Sequence, residues 1–163
     1  MENGQMIALA VAVFFLVWYF VGTLMNRRRA IQLIGAIREA VDTVGKKPTI
    51  RWYGRSAFEI TVAEPRPPLK DIRLLCLLEP RDFPLALAWN RLRRRRDQVL
   101  IHATFSRPPR AGKNPDPDSF KIPGRTGVIL KTEEPHLRLT LQVHAGGEAA
   151  IAESLALVRN LAD

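Results

Sequence analysis

Residues 7–25 read IALAVAVFFLVWYFVGTLM and residues 26–29 read NRRR, and the reading of the whole chain turns on this junction. At about 1.5 Å rise per residue, nineteen uncharged residues nearly match a hydrocarbon core of about 30 Å, so a helix over residues 6–26 is long enough to cross a bilayer. Eleven of them are Leu, Ile, Phe or Val, each favourable by roughly 0.3–0.6 kcal/mol on insertion. Trp18 and Tyr19 lie in the second half, where amphipathic rings suit the approach to an interface. A cleaved signal peptide fits less well, because such a peptide carries positive charge before its apolar stretch and small residues after it. This chain reads Met-Glu-Asn-Gly-Gln before the stretch and Asn-Arg-Arg-Arg after it. A buried core helix is seldom apolar on every face for this length.

The arginines also predict an orientation. No Lys or Arg precedes the span, while Arg27, Arg28 and Arg29 follow it directly. The positive-inside rule then places residues 1–5 outside and everything after the span in the cytoplasm, as a single-pass protein of the cell membrane. The chain has 25 Lys and Arg against 16 Asp and Glu, a net charge of +9. That balance favours anionic partners, with membrane lipids ahead of nucleic acid because no nucleic-acid motif accompanies the charge.

Beyond the arginines, Ile31, Ile34, Ile37, Val41 and Val44 recur at three-and-four spacing and predict a juxtamembrane amphipathic helix over residues 27–45, continuing directly from the span. Its stripe is expected to pack on its own domain, with pairing to a second copy or a partner subunit as the alternative. Residues 46–163 are then expected to form one cytoplasmic α+β domain, a mainly antiparallel sheet of about six strands with three helices in the chain. Ile50 and Trp52, then Phe58, Ile60 and Val62, alternate with polar residues around a turn at Tyr53-Gly54-Arg55. Residues 71–79 are apolar on both faces and predict a central strand. Asp82 offers an N-cap with Pro84 in the first turn of a short helix that places Leu85, Ala88, Trp89 and Leu92 on one face. Strands are expected over residues 98–106, 127–132 and 137–144, a flexible loop over about 107–126, and a last helix over 148–161 carrying Ile151, Leu155, Val158 and Leu161. The repeated plan of three strands followed by a helix hints at a duplicated unit.

The most unusual local feature is the run Arg91, Arg93, Arg94, Arg95 and Arg96. One or two cations would suit the negative end of a helix, and five exceed that need. With Arg27, Arg28 and Arg29, and with Phe83 and Trp89 able to dip into headgroups, they form the candidate lipid- or partner-binding set. No catalytic residues, metal ligands or cofactor emerge. His102, His136 and His144 lack ligand spacing, and Ser56, Ser106, Ser119 and Ser154 sit in no nucleophile context. The single cysteine, Cys76, lies in an apolar run and reads as packing. The functional expectation is therefore a membrane-anchored, non-enzymatic accessory or scaffold protein that docks a partner at the inner membrane surface. The alternative is an anionic-lipid-binding module using the 91–96 patch. A small membrane-bound enzyme ranks third, and would need a pocket joining His102 or His144 to a carboxylate.

Overall fold

A computed structural model describes residues 3–93, 95–107, 122 and 124–162. The apolar segment and the amphipathic stretch form one unbroken helix, α1 (Asn3–Val41), about 58 Å long at 1.5 Å per residue. No proline interrupts it, and it closes with backbone bonds from Thr43 and Val44 to the carbonyls of Ala40 and Val41. Its two halves have different surroundings. The first is almost wholly exposed and is long and apolar enough to cross a bilayer. In the second, Asn26, Arg29, Ala30, Leu33, Ile37, Ala40 and Val41 are buried at helical spacing.

The expected stripe holds at Ile37, Val41 and Val44, which are fully buried, and at Ile34, which packs against the core, and it fails at its first residue. Ile31 is 60% exposed, while Ala30 and Leu33 take the inward positions. Ala30 and Ala40 widen the buried face beyond the expected residues, and their small side chains let the helix lie close to its neighbours.

The rest of the chain supplies six strands: β1 (Gly45–Trp52), β2 (Ala57–Pro65), β3 (Leu69–Leu77), β4 (Asp97–Phe105), β5 (Arg125–Leu130) and β6 (Leu137–Val143). Two further helices are α2 (Pro84–Leu92) and α3 (Ala149–Ala162). The strands form one sheet in the order β1-β2-β3-β4-β6-β5, antiparallel at every pairing. The fold is thus α+β, with three helices, a six-stranded antiparallel sheet and an N-terminal apolar helix. The first hairpin turns at Gly54, whose φ of +80° favours glycine. Helix α1 ends at Val41, short of the expected residue 45, and Gly45 opens β1. A Cβ there would meet Val62 Cγ1 at 2.5 Å and the Glu64 carbonyl at 2.6 Å, so only glycine lets the two strands pair this closely.

Alternation decides which face is buried. Phe58, Ile60, Ile72, Leu74, Cys76, Val99, Ile101, Leu137, Leu139 and Leu141 point to one side, and all are fully buried beneath α1 and α3. Ile151, Leu155 and Val158 complete this core from α3. The opposite face is largely uncovered. On β3, which is central as expected, Leu75 is half-buried and Leu77 is 37% exposed, so the strand is not sealed on both sides. The two halves of the chain also differ in wiring: β1, β2 and β3 are neighbours in chain order, whereas β6 inserts between β4 and β5. The matching order of elements is therefore not repeated in space. β5 starts at Arg125, two residues ahead of the expected strand, and the flexible loop expected over 107–126 lies mostly outside the described residues.

Two outcomes follow from this packing. Leu33→Ala should lower the unfolding free energy of the full chain in detergent by about 2–5 kcal/mol, while Ile31→Ala should change it by no more than about 0.5 kcal/mol. Burial pushes the Cys76 thiol up to about 12, so maleimide should label it only after denaturation, as read by intact-mass spectrometry.

An arginine cleft between the apolar helix and α2

The site is built on one carboxylate. Asp97, the first residue of β4, is 3% exposed and accepts four hydrogen bonds from three donors. Arg81 Nη2 lies 3.0 and 3.1 Å from its two oxygens, Arg29 Nε lies 2.9 Å from Oδ2, and the Glu79 backbone N–H lies 2.9 Å from Oδ1. Arg29, on α1, also pairs with Glu148 and donates to the His144 carbonyl at 2.8 Å. Arg81 donates to Asn26 Oδ1, again on α1, at 3.0 Å. Burial alone would push the Asp97 carboxyl up, but the hydrogen bonds from Arg81, Glu79 and Arg29 outweigh it and hold the group below the usual carboxylate range.

The segment between β3 and α2 lies along α1 on the same helical face. Trp18 Nε1 donates to the Arg81 carbonyl at 3.1 Å. A Cβ at Gly22 would meet that carbonyl oxygen at 2.1 Å, so glycine is required for the approach. Phe83 stacks on Phe15, with centroids 6.2 Å apart and planes 21° from parallel. Phe15, Trp18, Gly22, Asn26 and Arg29 follow one another at three or four residues, and the buried Leu33, Ile37 and Ala40 extend the same stripe. Arg55 reaches the outside of this region, with its guanidinium 5.1 Å from the Tyr19 ring centroid.

α2 itself is not part of the core. Leu87 is its buried residue, while Phe83, Leu85, Trp89 and Leu92 are 50%, 64%, 54% and 76% exposed. Phe83, with an extended backbone and no side-chain cap, is the N-cap in place of the expected Asp82. The helix starts against Phe15 and ends near Met25 and Arg28. α1 and α2 therefore pass from apolar to basic at the same end.

Between them opens a cleft of about 360 Å³ that brings together some of the expected arginines and separates others. Arg28, Arg91 and Arg96 line it, and none makes an ion pair among the described residues. Arg29, expected in the lipid- or partner-binding set, turns inward instead and is 7% exposed. The ends of the cation's stripe explain this: position 29 falls in line with Asn26 and Leu33, facing the sheet. Arg93 lies 4.4 Å from the Trp89 ring centroid. Arg95 borders a neighbouring groove with Asn90 and Leu77, Arg27 is exposed, and Arg94 lies outside the described residues.

Sequence reading missed Asp97, Arg81, Glu79 and Glu148. The available signal was a lone Asp opening an apolar strand straight after an arginine run. His144 borders the cleft that contains Asp97 and Glu79, but Arg29 and Arg81 already occupy the Asp97 oxygens, and a low proton affinity makes that carboxylate a poor general base. His136 Nδ1 accepts the Phe105 backbone N–H at 3.0 Å, a packing role. Burial, then Arg138, lowers the His102 pKa. Among the described residues no group of His, Cys, Asp and Glu is arranged to hold a metal ion.

The fold and cleft define an α+β protein with a candidate N-terminal span and a basic cleft at its exit. The chain matches no protein-family model and no curated protein sequence.

A carboxylate held below its ordinary value of about 3.9 favours the folded state above that pH, and the contribution is lost as acid takes the pH down through the folded value. The full chain should therefore lose stability as pH falls below about 4. Asp97→Asn should already be less stable at pH 7 and show a flatter acid limb, measured by thermal unfolding in detergent across pH 2–7.

Proposed function

We propose that this chain is a membrane-anchored, non-enzymatic scaffold that holds a basic domain in one fixed orientation against the cytoplasmic face of the cell membrane, where it docks a protein partner. The observation that carries the reading is the shared polarity of α1 and α2. Both are apolar at the level of Phe15 and basic at the level of Arg28, as two helices crossing one lipid–water boundary would be.

Length supports the same view. Residues 6–14, ahead of the contact with Phe83, cover only about 13 Å, far short of a hydrocarbon core of about 30 Å. If α1 crosses the bilayer, the stretch from Phe15 to Met25 must lie within it as well; the first turn of α2 then enters the leaflet beside it, and Arg55, whose guanidinium lies on the Tyr19 ring, must extend its charge toward the headgroups. Phe83, Leu85, Trp89 and Leu92 then meet lipid, which accounts for an exposed apolar surface that water would disfavour. Arg27 and Arg28, together with Arg91, Arg93 and Arg95, stand on the side the positive-inside rule assigns to the cytoplasm. Because α1 continues unbroken into the core, the domain cannot swivel freely on its anchor.

The expected homotypic pairing through residues 27–45 has less surface to use, since the domain's own sheet and α3 cover the stripe and leave Ile31 outside. The partner surface instead favours the open sheet face and the outer edges of β1 and β5, which pair with no further strand among the described residues.

In intact cells, external protease should leave the C-terminal part undigested, and carbonate washing should leave the chain in the membrane pellet. In a Trp18→Phe, Trp52→Phe chain reconstituted in nanodiscs, Trp89 should be quenched by lipids brominated on their acyl chains; an unquenched Trp89 overturns the seating of α2. Mild detergent extraction should yield an assembly heavier than the monomer, and a purely monomeric species would remove the scaffold role.

A further inference from the structure

We infer that the cleft between α1 and α2 is a binding site for the phosphate of an anionic phospholipid headgroup, held by Arg28, Arg91 and Arg96. The inference rests on the membrane-seated reading above and names the ligand for it. Three features of the cleft argue for a bound anion rather than a solvated basic face.

First, the charges converge. Five arginines and two acids line the cleft; both acids face Arg81, and one buried oxygen of Glu79, Oε1, has no hydrogen-bond partner among the described residues. Asp97 is bound by Arg29 and Arg81, and Arg81 also lies 3.7 Å from Glu79. The positive charge that remains belongs to Arg28, Arg91 and Arg96, which come from α1, from α2 and from the approach to β4. Holding three guanidinium groups around one hollow is unfavourable without a counterion, and the planar fork of each matches two oxygens of a phosphate.

Second, the wall is rigid. The Asp97 network fixes Arg29 and Arg81 and so holds α1 against the residue 79–82 segment, which sets the spacing of the cleft before any ligand arrives. Binding then orders few side chains.

Third, the rim is apolar where the apolar helix ends. Met25, the last residue of the apolar segment, borders the cleft with Arg28, and Leu92 lies exposed nearby on α2. A free phosphate would gain nothing from this rim. A phospholipid would place its headgroup among the arginines and its chains along Met25 and the exposed face of α2. The shared chemistry is a phosphate anion; its source is the lipid.

The test uses the full chain in nonionic detergent, analysed by native mass spectrometry after addition of phosphatidylglycerol, phosphatidylcholine or glycerol 1-phosphate. One phosphatidylglycerol should be retained per chain in preference to phosphatidylcholine, and a large excess of glycerol 1-phosphate should not displace it. The Arg28→Gln, Arg91→Gln, Arg96→Gln triple variant should weaken retention by roughly tenfold or more, while Arg138→Gln, remote on the open sheet face, should not change it. Equal retention by the triple variant and the wild type overturns the site, and displacement by glycerol 1-phosphate at matched concentration overturns the lipid as its ligand. Trp89 quenching in nanodiscs is read on the Trp18→Phe, Trp52→Phe chain with and without the same three arginine substitutions. If Trp89 remains quenched in both while the arginine substitutions leave retention unchanged, the site fails and the membrane seating stands; if Trp89 is not quenched with the arginines intact, the seating itself fails.

Discussion

Asp97 is where four parts of the chain are tied together. Arg29 comes from the long helix, Arg81 and Glu79 from the segment after β3, and Asp97 from the start of β4, with Glu148 adding the approach to α3. Removing Asp97 would leave Arg81 facing only Glu79 and Arg29 only Glu148, and breaking a buried pair in this way costs about 3–5 kcal/mol in comparable cases. A buried ion network is weak evidence for extra stability, because desolvation offsets much of the attraction. Its consequence here is geometric: it prescribes how α1 enters the sheet and how far the residue 79–82 segment stands from it.

That geometry extends outward along one stripe of α1. Moving toward the N-terminus from Leu33, the stripe runs through Arg29, Asn26, Gly22, Trp18 and Phe15, and each of the last five meets the same short stretch of chain or its neighbours. The chemistry changes with position: aliphatic against the sheet, ionic at the junction, glycine at the closest approach, aromatic beyond it. In the proposed setting the ionic part lies at the headgroup level and the aromatic part inside the leaflet, so the anchor and domain form one body. A scaffold benefits from such rigidity because a partner meets its surface at a constant height and angle above the membrane.

Most of the architecture was legible along the chain. Alternation at Ile72, Leu74 and Cys76, at Val99, Ile101 and Ala103, and at Leu137, Leu139 and Leu141 identifies strands and their buried faces, because a pleat has a period of two and one face must leave water. The arginine cluster was visible too, but its division was not. Arg28 and Arg29 are adjacent, and only the phase of α1 against the sheet sends one to the cleft and the other into the core. Likewise Ile31 is exposed and Leu33, just over half a turn further on, is buried, since spacing reports a stripe's period and not which partner surface it meets.

By itself the sequence determined the apolar segment, the α+β class, the strand faces and the basic excess, all of which depend on local periodicity and composition. Only the tertiary structure decided the insertion of β6 between β4 and β5, the burial of Arg29 on Asp97, and the position of α2 beside the apolar helix. Each of these joins residues far apart in the chain, and pairing at that separation is selected by packing and charge in three dimensions.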